Sequence, residues 1–464
     1  MSDSFNNEMV QKLGGDLGRR GFLFGSLAIG TTALLAGCSP SGNVVTPSAG
    51  ASGFAPTGNA DLAISWWGAT DRDTKTRALL DLYSKKNPGV KFTPTSGALT
   101  GYQQKMATEF SAGAGKDVFQ VADARPFAST GQFLDFDPYI QAKAINLTGA
   151  NQSTLDAMKY KGKQYTLPWG LAAGVMFYDK KVFNDLGVPL PKPAWTWDDY
   201  RQTAKAITEA SPKGFYGSAD IWAPTGTQAW APFQSFLLSR AIQPYTDGGQ
   251  LNFSSNELKE WFTFWDDMRK AGYVTPAQIT AEETSFPTSP IVTGKAAIYP
   301  INSSIASSLQ GLCKNPLGMT TEPTGWKSTT YLKGTQFGQY VNASMQIGAN
   351  AKTKYPNWVV NFIDFALNDP DANKITLMSR GVPLSPAVTE LIRPLILPIE
   401  VDMSSVIAFI QANAVPNVVT MPVADGQLAT LFQQAHQAIA FEKSAIDDAT
   451  SSFLSQAKTA LTGS

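Results

Sequence analysis

The sequence predicts an α/β fold built as two lobes. A strand–helix–strand–helix–strand order opens the folded part, apolar residues then recur at helical spacing several times, and residues 61–464 are long enough for two separate cores. Leu62-Ala63-Ile64-Ser65-Trp66-Trp67 reads as a buried strand that Gly68 stops, with Trp66 alternating with Ile64 as a core residue. A polar helix from about Thr70 carries Leu79, Leu82 and Tyr83 on one face and ends at Asn87-Pro88-Gly89. Residues 90–93 form the next strand. Tyr102, Met106 and Phe110 recur at helical spacing, with Gly113 as the left-handed stop, and residues 118–122 make a third strand. This order is that of a parallel sheet, whose ligands sit beyond the carboxyl ends of the strands. Trp67 to Asp71, and Asp123, occupy such ends.

A second unit starts after Tyr165-Thr166-Leu167-Pro168, with residues 171–178 as an apolar strand. Thr196, followed three residues later by Asp199, caps a helix that runs through Ile207. Trp261, Phe264, Trp265 and Met268 share one face of a helix closed by Gly272, and Trp358, Phe362, Phe365 and Ala366 share another. The last helix carries Ile446, Ala449, Phe453 and Ala457. No repeat of fixed period is visible.

Ahead of all this, Arg19-Arg20-Gly21-Phe22-Leu23 precedes a short apolar run and then Leu35-Ala36-Gly37-Cys38. A twin-arginine pair before such a run reads as an export signal. The run is well short of the ~20 residues of a spanning helix. The small residues before Cys38 resemble a bacterial lipobox, in which residues 1–37 are removed and the cysteine is lipidated. Two or more acyl chains anchor lastingly where one is marginal. Residues 39–60 are mostly Ser, Gly, Pro, Ala, Thr and Asn with almost no charge, a tether too poor in apolar residues to fold. As a flexible coil it spans roughly 26 Å, and about 75 Å when taut. The expectation is an exported protein held on the outer face of the cytoplasmic membrane.

Composition removes several classes of function. Charge balances at 37 against 37, and the signal's Asp3, Glu8 and Asp16 offset its Lys12, Arg19 and Arg20, so no basic excess exists for nucleic acid. Charged residues are 16% of the chain, below the roughly 25% of an average domain. A surface of Ser, Thr, Gln and Asn suits an uncharged polar ligand. With Cys38 lipidated, Cys313 lacks a partner and reads as a small buried residue, and His436 reads as a bystander on a helix. No nucleophile elbow, phosphate loop or Cys-x-x-Cys is present, so neither a metal nor a cofactor is expected, and no catalytic residue is assigned.

The run Tyr160-Lys161-Gly162-Lys163-Gln164-Tyr165-Thr166-Leu167-Pro168 continues through Phe177-Tyr178-Asp179-Lys180-Lys181-Val182-Phe183, Leu186-Gly187-Val188-Pro189 and Trp195-Thr196-Trp197-Asp198-Asp199. Further on come Val292-Thr293-Gly294-Lys295-Ala296-Ala297-Ile298, the Trp358 helix before Asp369-Pro370, and Arg380-Gly381-Val382-Pro383-Leu384-Ser385-Pro386. This ordered set resembles the extracellular solute-binding family 1 of ABC importers, which includes maltose-binding protein. The resemblance implies a hinged, two-lobe periplasmic-binding-protein-like fold of type II with its ligand in the interlobe cleft. It implies crossings near residues 167–169, near 298–302 and after the Trp358 helix. The N-terminal lobe would then hold 61–168 and 300–367, and the other lobe 169–299 and 368–464. By the same analogy the chain acts as a monomer, closes on a sugar or oligosaccharide, and delivers it to an ABC permease whose ATPase it reaches only indirectly.

Carbohydrate-binding members lay sugar rings on aromatic faces and bond hydroxyls with planar polar side chains. Trp261, Trp265, Trp358, Trp195 and Trp197 fit packing positions. The tryptophans in less regular sequence, Trp67, Trp169, Trp222, Trp230 and Trp326, are candidates for the cleft as well as for the core. Asp71, Asp123, Asp220, Asn302 and Arg380 are the polar candidates, each equally readable as a cap or a solvated loop residue. Where maltose-binding protein has a ligand-contacting acid, this chain reads Leu171-Ala172-Ala173, which argues against maltose itself. Two other readings remain: the same fold carrying a polyamine, a phosphoester or an iron complex, and an anchored glycosidase working through two carboxylates.

Overall fold

A computed structural model describes residues 54–68, 70–98, 101–223, 229–325, 337–414 and 421–462. The export signal, Cys38, most of the tether and Trp326 lie outside the described residues. Among the described residues no helix is long and apolar enough to cross a membrane.

The strands are β1 (Ala60–Trp67), β2 (Val90–Gly97), β3 (Val118–Val121), β4 (Thr166–Ala172), β5 (Gly174–Asp179), β6 (Tyr216–Ser218), β7 (Ala296–Asn302), β8 (Leu317–Thr321) and β9 (Asn342–Ala349). They form two sheets, one in the order β2-β1-β3-β9-β4 and one in the order β6-β7-β5-β8. β1 pairs in parallel with β2 and β3, as the strand–helix–strand pattern predicts, while β9 enters antiparallel between β3 and β4. In the second sheet β5 is antiparallel to both β7 and β8, and β6 is parallel to β7.

The expected single strand over 171–178 is two strands in two sheets. β4 ends at Ala172 and β5 starts at Gly174, so the chain crosses at Ala173, after the 167–169 expected. The assignment of 300–367 to the first lobe also differs from the pairing. β7 and β8 both lie against β5, so the chain returns to the first sheet only between Thr321 and Asn342. Nor does it leave directly after the Trp358 helix. The Pro370–Thr376 helix stays on the first sheet's side, where Asp369 and Asp371 pair with Lys86 of the Thr70–Lys86 helix. The Pro398–Asn413 helix then packs on the second sheet's side, its Glu400 accepting from Ser307.

The helices follow their sequence signals closely. Thr196 and Asp199 form a reciprocal capping box, and Trp261, Trp265 and Met268 are fully buried on one helix face. Tyr102, Met106 and Phe110 are buried as their spacing predicts. On the Thr70–Lys86 helix Leu80 is buried beside Leu79 and Tyr83, and Leu82 sits at the edge. Val359, Phe362, Ile363 and Ala366 pack Tyr83 and Phe92 into one apolar cluster, with Phe362 edge-on to Tyr83 at 5.2 Å. His436 is a core residue, accepting from the Trp261 indole at 3.0 Å and lying against Phe262 and Phe432. Cys313 is half-buried, and burial pushes its thiol up to about 11.

In β6 the fold depends on glycine for space. A Cβ on Gly217 of β6 would stand 2.0 Å from the backbone oxygen of Ala204, on the helix that covers the strand. Backbone cannot swing aside as a side-chain tip can. Gly217→Ala is therefore expected to destabilise by about 1–3 kcal/mol, read as a lower urea midpoint with an unchanged slope.

Candidate functional site

β3 delivers Ala122-Asp123-Ala124-Arg125 to the carboxyl edge of the first sheet, where a short helix, Arg125–Ala128, begins. The turn positions its own ion pair. Asp123 Oδ1 accepts from the Arg125 backbone N–H at 2.9 Å and from Nε at 2.8 Å, and Oδ2 accepts from Nη2 at 2.8 Å. That fork leaves Nη1 free to reach further. It donates to the carbonyl oxygens of Met421 and, at 3.2 Å, Pro422, which lead into the Asp425–Ala440 helix packed on the second sheet's side. Arg125 thus ties the edge of one sheet to the helical layer of the other.

Beside it lies a cavity of about 200 Å³ lined by Asp123, Arg125, Met158, Tyr340, Asn342, Gln346 and Met421, among others. Gln346 is oriented from both ends, accepting from Thr166 at 2.6 Å and donating to the Ala122 carbonyl at 3.0 Å. Tyr340 is held neutral, its pKa raised by burial and then by the charges of Asp425 and Glu322. Asp425 collects three donors on one oxygen: Tyr245 at 2.5 Å, the Trp230 indole at 2.9 Å and Gln234 at 3.1 Å. The wall therefore combines an aromatic ring, two methionines and several oriented hydrogen-bonding groups. Such a surface can bind the hydroxyls and the C–H face of a small polar molecule. Among the described residues no group of three or more His, Cys, Asp or Glu could hold a metal ion.

Glu322 follows β8, where the chain leaves the second sheet, and lies beside Gly174, where it enters that sheet. It is 2% exposed and accepts from Gln339 Nε2 at 3.2 Å, and the same amide nitrogen donates to the Gly174 carbonyl at 2.9 Å. A Cβ at Gly174 would meet Glu322 Oε1 at 1.9 Å, so the glycine is what admits the carboxyl. Burial pushes Glu322 up to about 7 from 4.5, against the hydrogen bonds of Ser235 and Gln339. Because the folded value is the higher, the folded chain holds a proton that the unfolded chain releases between those two values. Stability is thus greatest on the acid side of that window and falls as pH rises through it, by roughly 3 kcal/mol in all. Urea midpoints across this range are expected to fall with rising pH, and Glu322→Gln is expected to flatten the trend. A Glu322→Gln protein with the same slope would show that another group carries it.

The sequence candidates are widely dispersed. Asp123 lines the cavity, and Trp230 braces Asp425 behind it. Trp67 is buried against Tyr102 at 5.1 Å, near a separate cavity of about 250 Å³ lined by Ser65, Thr95, Tyr102, Lys105 and Glu109. Asp71 is exposed and pairs with Lys75 at 2.9 Å. Asp220 is fully buried and committed to Arg269 at 2.9 Å, so it has no reach to a ligand. Trp222 packs on Phe441 in the interior. Asn302 caps a turn, accepting from the Ser304 N–H at 3.0 Å. Trp169 and Arg380 are brought together, the guanidinium 3.8 Å above the ring, but inside the first sheet's body. Sequence reasoning misses Arg125, Tyr340, Asn342, Gln346 and Asp425. Of these, only Arg125 carries a local signal, a cation two residues from a strand-end acid.

Residues 49–373 match the family model described as bacterial extracellular solute-binding protein. The chain is 30% identical over 145 residues to the diacetylchitobiose binding protein DasA of Streptomyces coelicolor, a match covering 31% of this chain and 32% of that one. It is 25% identical over 307 residues to the erythritol/L-threitol-binding protein of Mycolicibacterium smegmatis, covering 59% and 60%. Each match spans less than two thirds of the relative. A periplasmic oligogalacturonide binding protein from Yersinia enterocolitica, in complex with saturated digalacturonic acid, superposes with a TM-score of 0.71 over 86% of this chain and 99% of that one, at 18% identity. The fold is accordingly the two-lobe, type II arrangement of α/β layers.

Proposed function

The chain belongs to the bacterial extracellular solute-binding protein family, and from that premise we propose that it captures a sugar, a short oligosaccharide or a related polyol between its lobes and delivers it to an ABC permease. It does so by binding alone, without chemistry on the ligand. The observation that carries this reading is the Arg125 bridge, a side chain from one sheet's edge bonded to carbonyls on the other side, beside a cavity with polar and aromatic walls. A ligand touched from both sides favours the shut form by its differential affinity, which is what a permease needs to tell loaded from empty protein.

In this reading the first lobe comprises residues 61–172 and 342–392, and the second 174–321 and 398–462, in keeping with the strand pairing. Cys38 carries the lipid, and residues 39–53 tether a monomer to the outer face of the membrane; the expected tether over 39–60 is shortened because Phe54 packs on Tyr139 at 4.8 Å and Ala60 opens β1. The neighbours' ligands named above support a carbohydrate-class cargo and set the panel to test: amino-sugar disaccharides, tetritols and galacturonides. Ligand at 100 times its Kd adds about 2.7 kcal/mol to the native state. A shift in melting temperature and tryptophan fluorescence with at least one neutral saccharide or polyol is the expected result. No response across the panel, or release of reducing ends by the purified protein, would overturn the reading.

A further inference from the structure

Arg380 is 3% exposed, and among the described residues no acid pairs with it. Its Nε donates to Gln120 Oε1 at 3.0 Å and its Nη2 to Thr76 Oγ1 at 2.7 Å, both neutral, and Trp169 lies beneath its plane at 3.8 Å. The formal charge that acts on it is that of a second guanidinium. Arg72 donates Nε to the Ser379 carbonyl at 2.9 Å, and its like charge adds to burial in lowering the pKa of Arg380. Taking an uncompensated ion out of water costs several kcal/mol even after the protein relaxes. Cation–π contact and two neutral acceptors offset only part of that.

Two donors at this spot are unspent. Arg380 Nη1 and Ser379 Oγ are buried and have no hydrogen-bond partner in the protein. Both residues line a cavity of about 20 Å³ together with Trp169, Asn373 and Thr376. That volume is the scale of one water-sized particle. It excludes sulfate, phosphate and any sugar carboxylate. A buried cation, two unspent donors and a one-particle cavity call for a counter-charge of minimal size.

We propose that Arg380 and Ser379 form a structural site for one small monovalent anion of chloride size, separate from the sugar cavity. The anion accepts from Arg380 Nη1 and Ser379 Oγ. It neutralises the guanidinium that, through Gln120 and Thr76, ties together β3, the Thr70–Lys86 helix and the turn at Ser379.

Crystals grown with bromide as the only halide test this directly. The expected result is an anomalous peak bonded to Arg380 and Ser379; a water-like density without anomalous signal overturns the proposal. In solution, the melting temperature is expected to climb with the logarithm of chloride concentration, relative to gluconate at matched ionic strength. Equal melting in the two salts overturns it. Because substituting Arg380 risks the fold, the variant of choice is Ser379→Ala, which deletes one donor and leaves the cation. Its chloride midpoint is expected to rise about tenfold or more, and an unmoved midpoint also counts against the site.

Discussion

Asp220→Ala is expected to lower the unfolding free energy by about 3–5 kcal/mol, the cost of breaking a buried ion pair on one side only. The carboxylate is wholly enclosed, and Arg269 is 7% exposed at its side chain. Removing the acid strands the arginine in the second sheet's helical layer. Among the described residues, Asp266, 3.7 Å from Arg269 Nη2 and better exposed, is the other acid paired with Arg269 and can take over part of the charge. Asp220 Oδ1 also accepts from the Ile221 N–H at 2.8 Å, so alanine orphans a backbone donor as well. Asp220→Asn keeps an acceptor there and is expected to cost less. The measurement is the urea midpoint with slope unchanged. A loss under about 1 kcal/mol would mean that Asp266 replaces Asp220 outright.

Arg125→Ala is expected to weaken ligand binding by about 30-fold or more, with little change in the melting temperature of the ligand-free protein. Truncating one partner of a hydrogen-bonded charge pair typically costs 2–5 kcal/mol in affinity, and about 1.4 kcal/mol is tenfold. Here the loss has two parts. The carbonyls of Met421 and Pro422 lose their bridge to the first sheet's edge, and Asp123 is left as an unpaired carboxylate on the cavity wall. The unliganded fold suffers little because the pair is partly solvated, with side chains 19% and 35% exposed. Arg125→Lys keeps the charge but not the planar fork that serves Asp123 and the carbonyls together, so an intermediate loss is expected. Titration calorimetry with the best ligand of the panel decides it. A Kd within threefold of the parent would remove Arg125 from the binding machinery.

The two residues mark the boundary between what can be read locally and what cannot. The strand-end rule leads from the sequence to Asp123, which does line the cavity. The same rule leads to Trp67 and Asp71, yet Trp67 turns into a cluster with Tyr102 and Asp71 faces solvent. Nothing in the neighbourhood of Asp220, a turn-rich stretch with a tryptophan two residues on, distinguishes a cleft acid from one buried against Arg269 at 49 positions' remove. Arg380 is similar. Its motif marks a family position, but only packing sets it over Trp169 and beside Gln120, 260 residues away.

By itself the sequence determined the α/β class, the parallel run of β1 to β3, the capping box at Thr196 and the buried faces of the Tyr102–Ser111 and Ser255–Lys270 helices, whereas on the Pro356–Asn368 helix the expected Trp358 and Phe365 are only half-buried beside Phe362 and Ala366. These rest on contacts within a few residues, where periodicity and capping chemistry act. Tertiary structure alone decided that one apolar run would serve two sheets, that β8 would join the second sheet, and that Arg125 would meet carbonyls 296 residues further on. Those choices depend on which edges and layers are left to pair after local structure has formed, and side-chain chemistry at the position itself does not encode them.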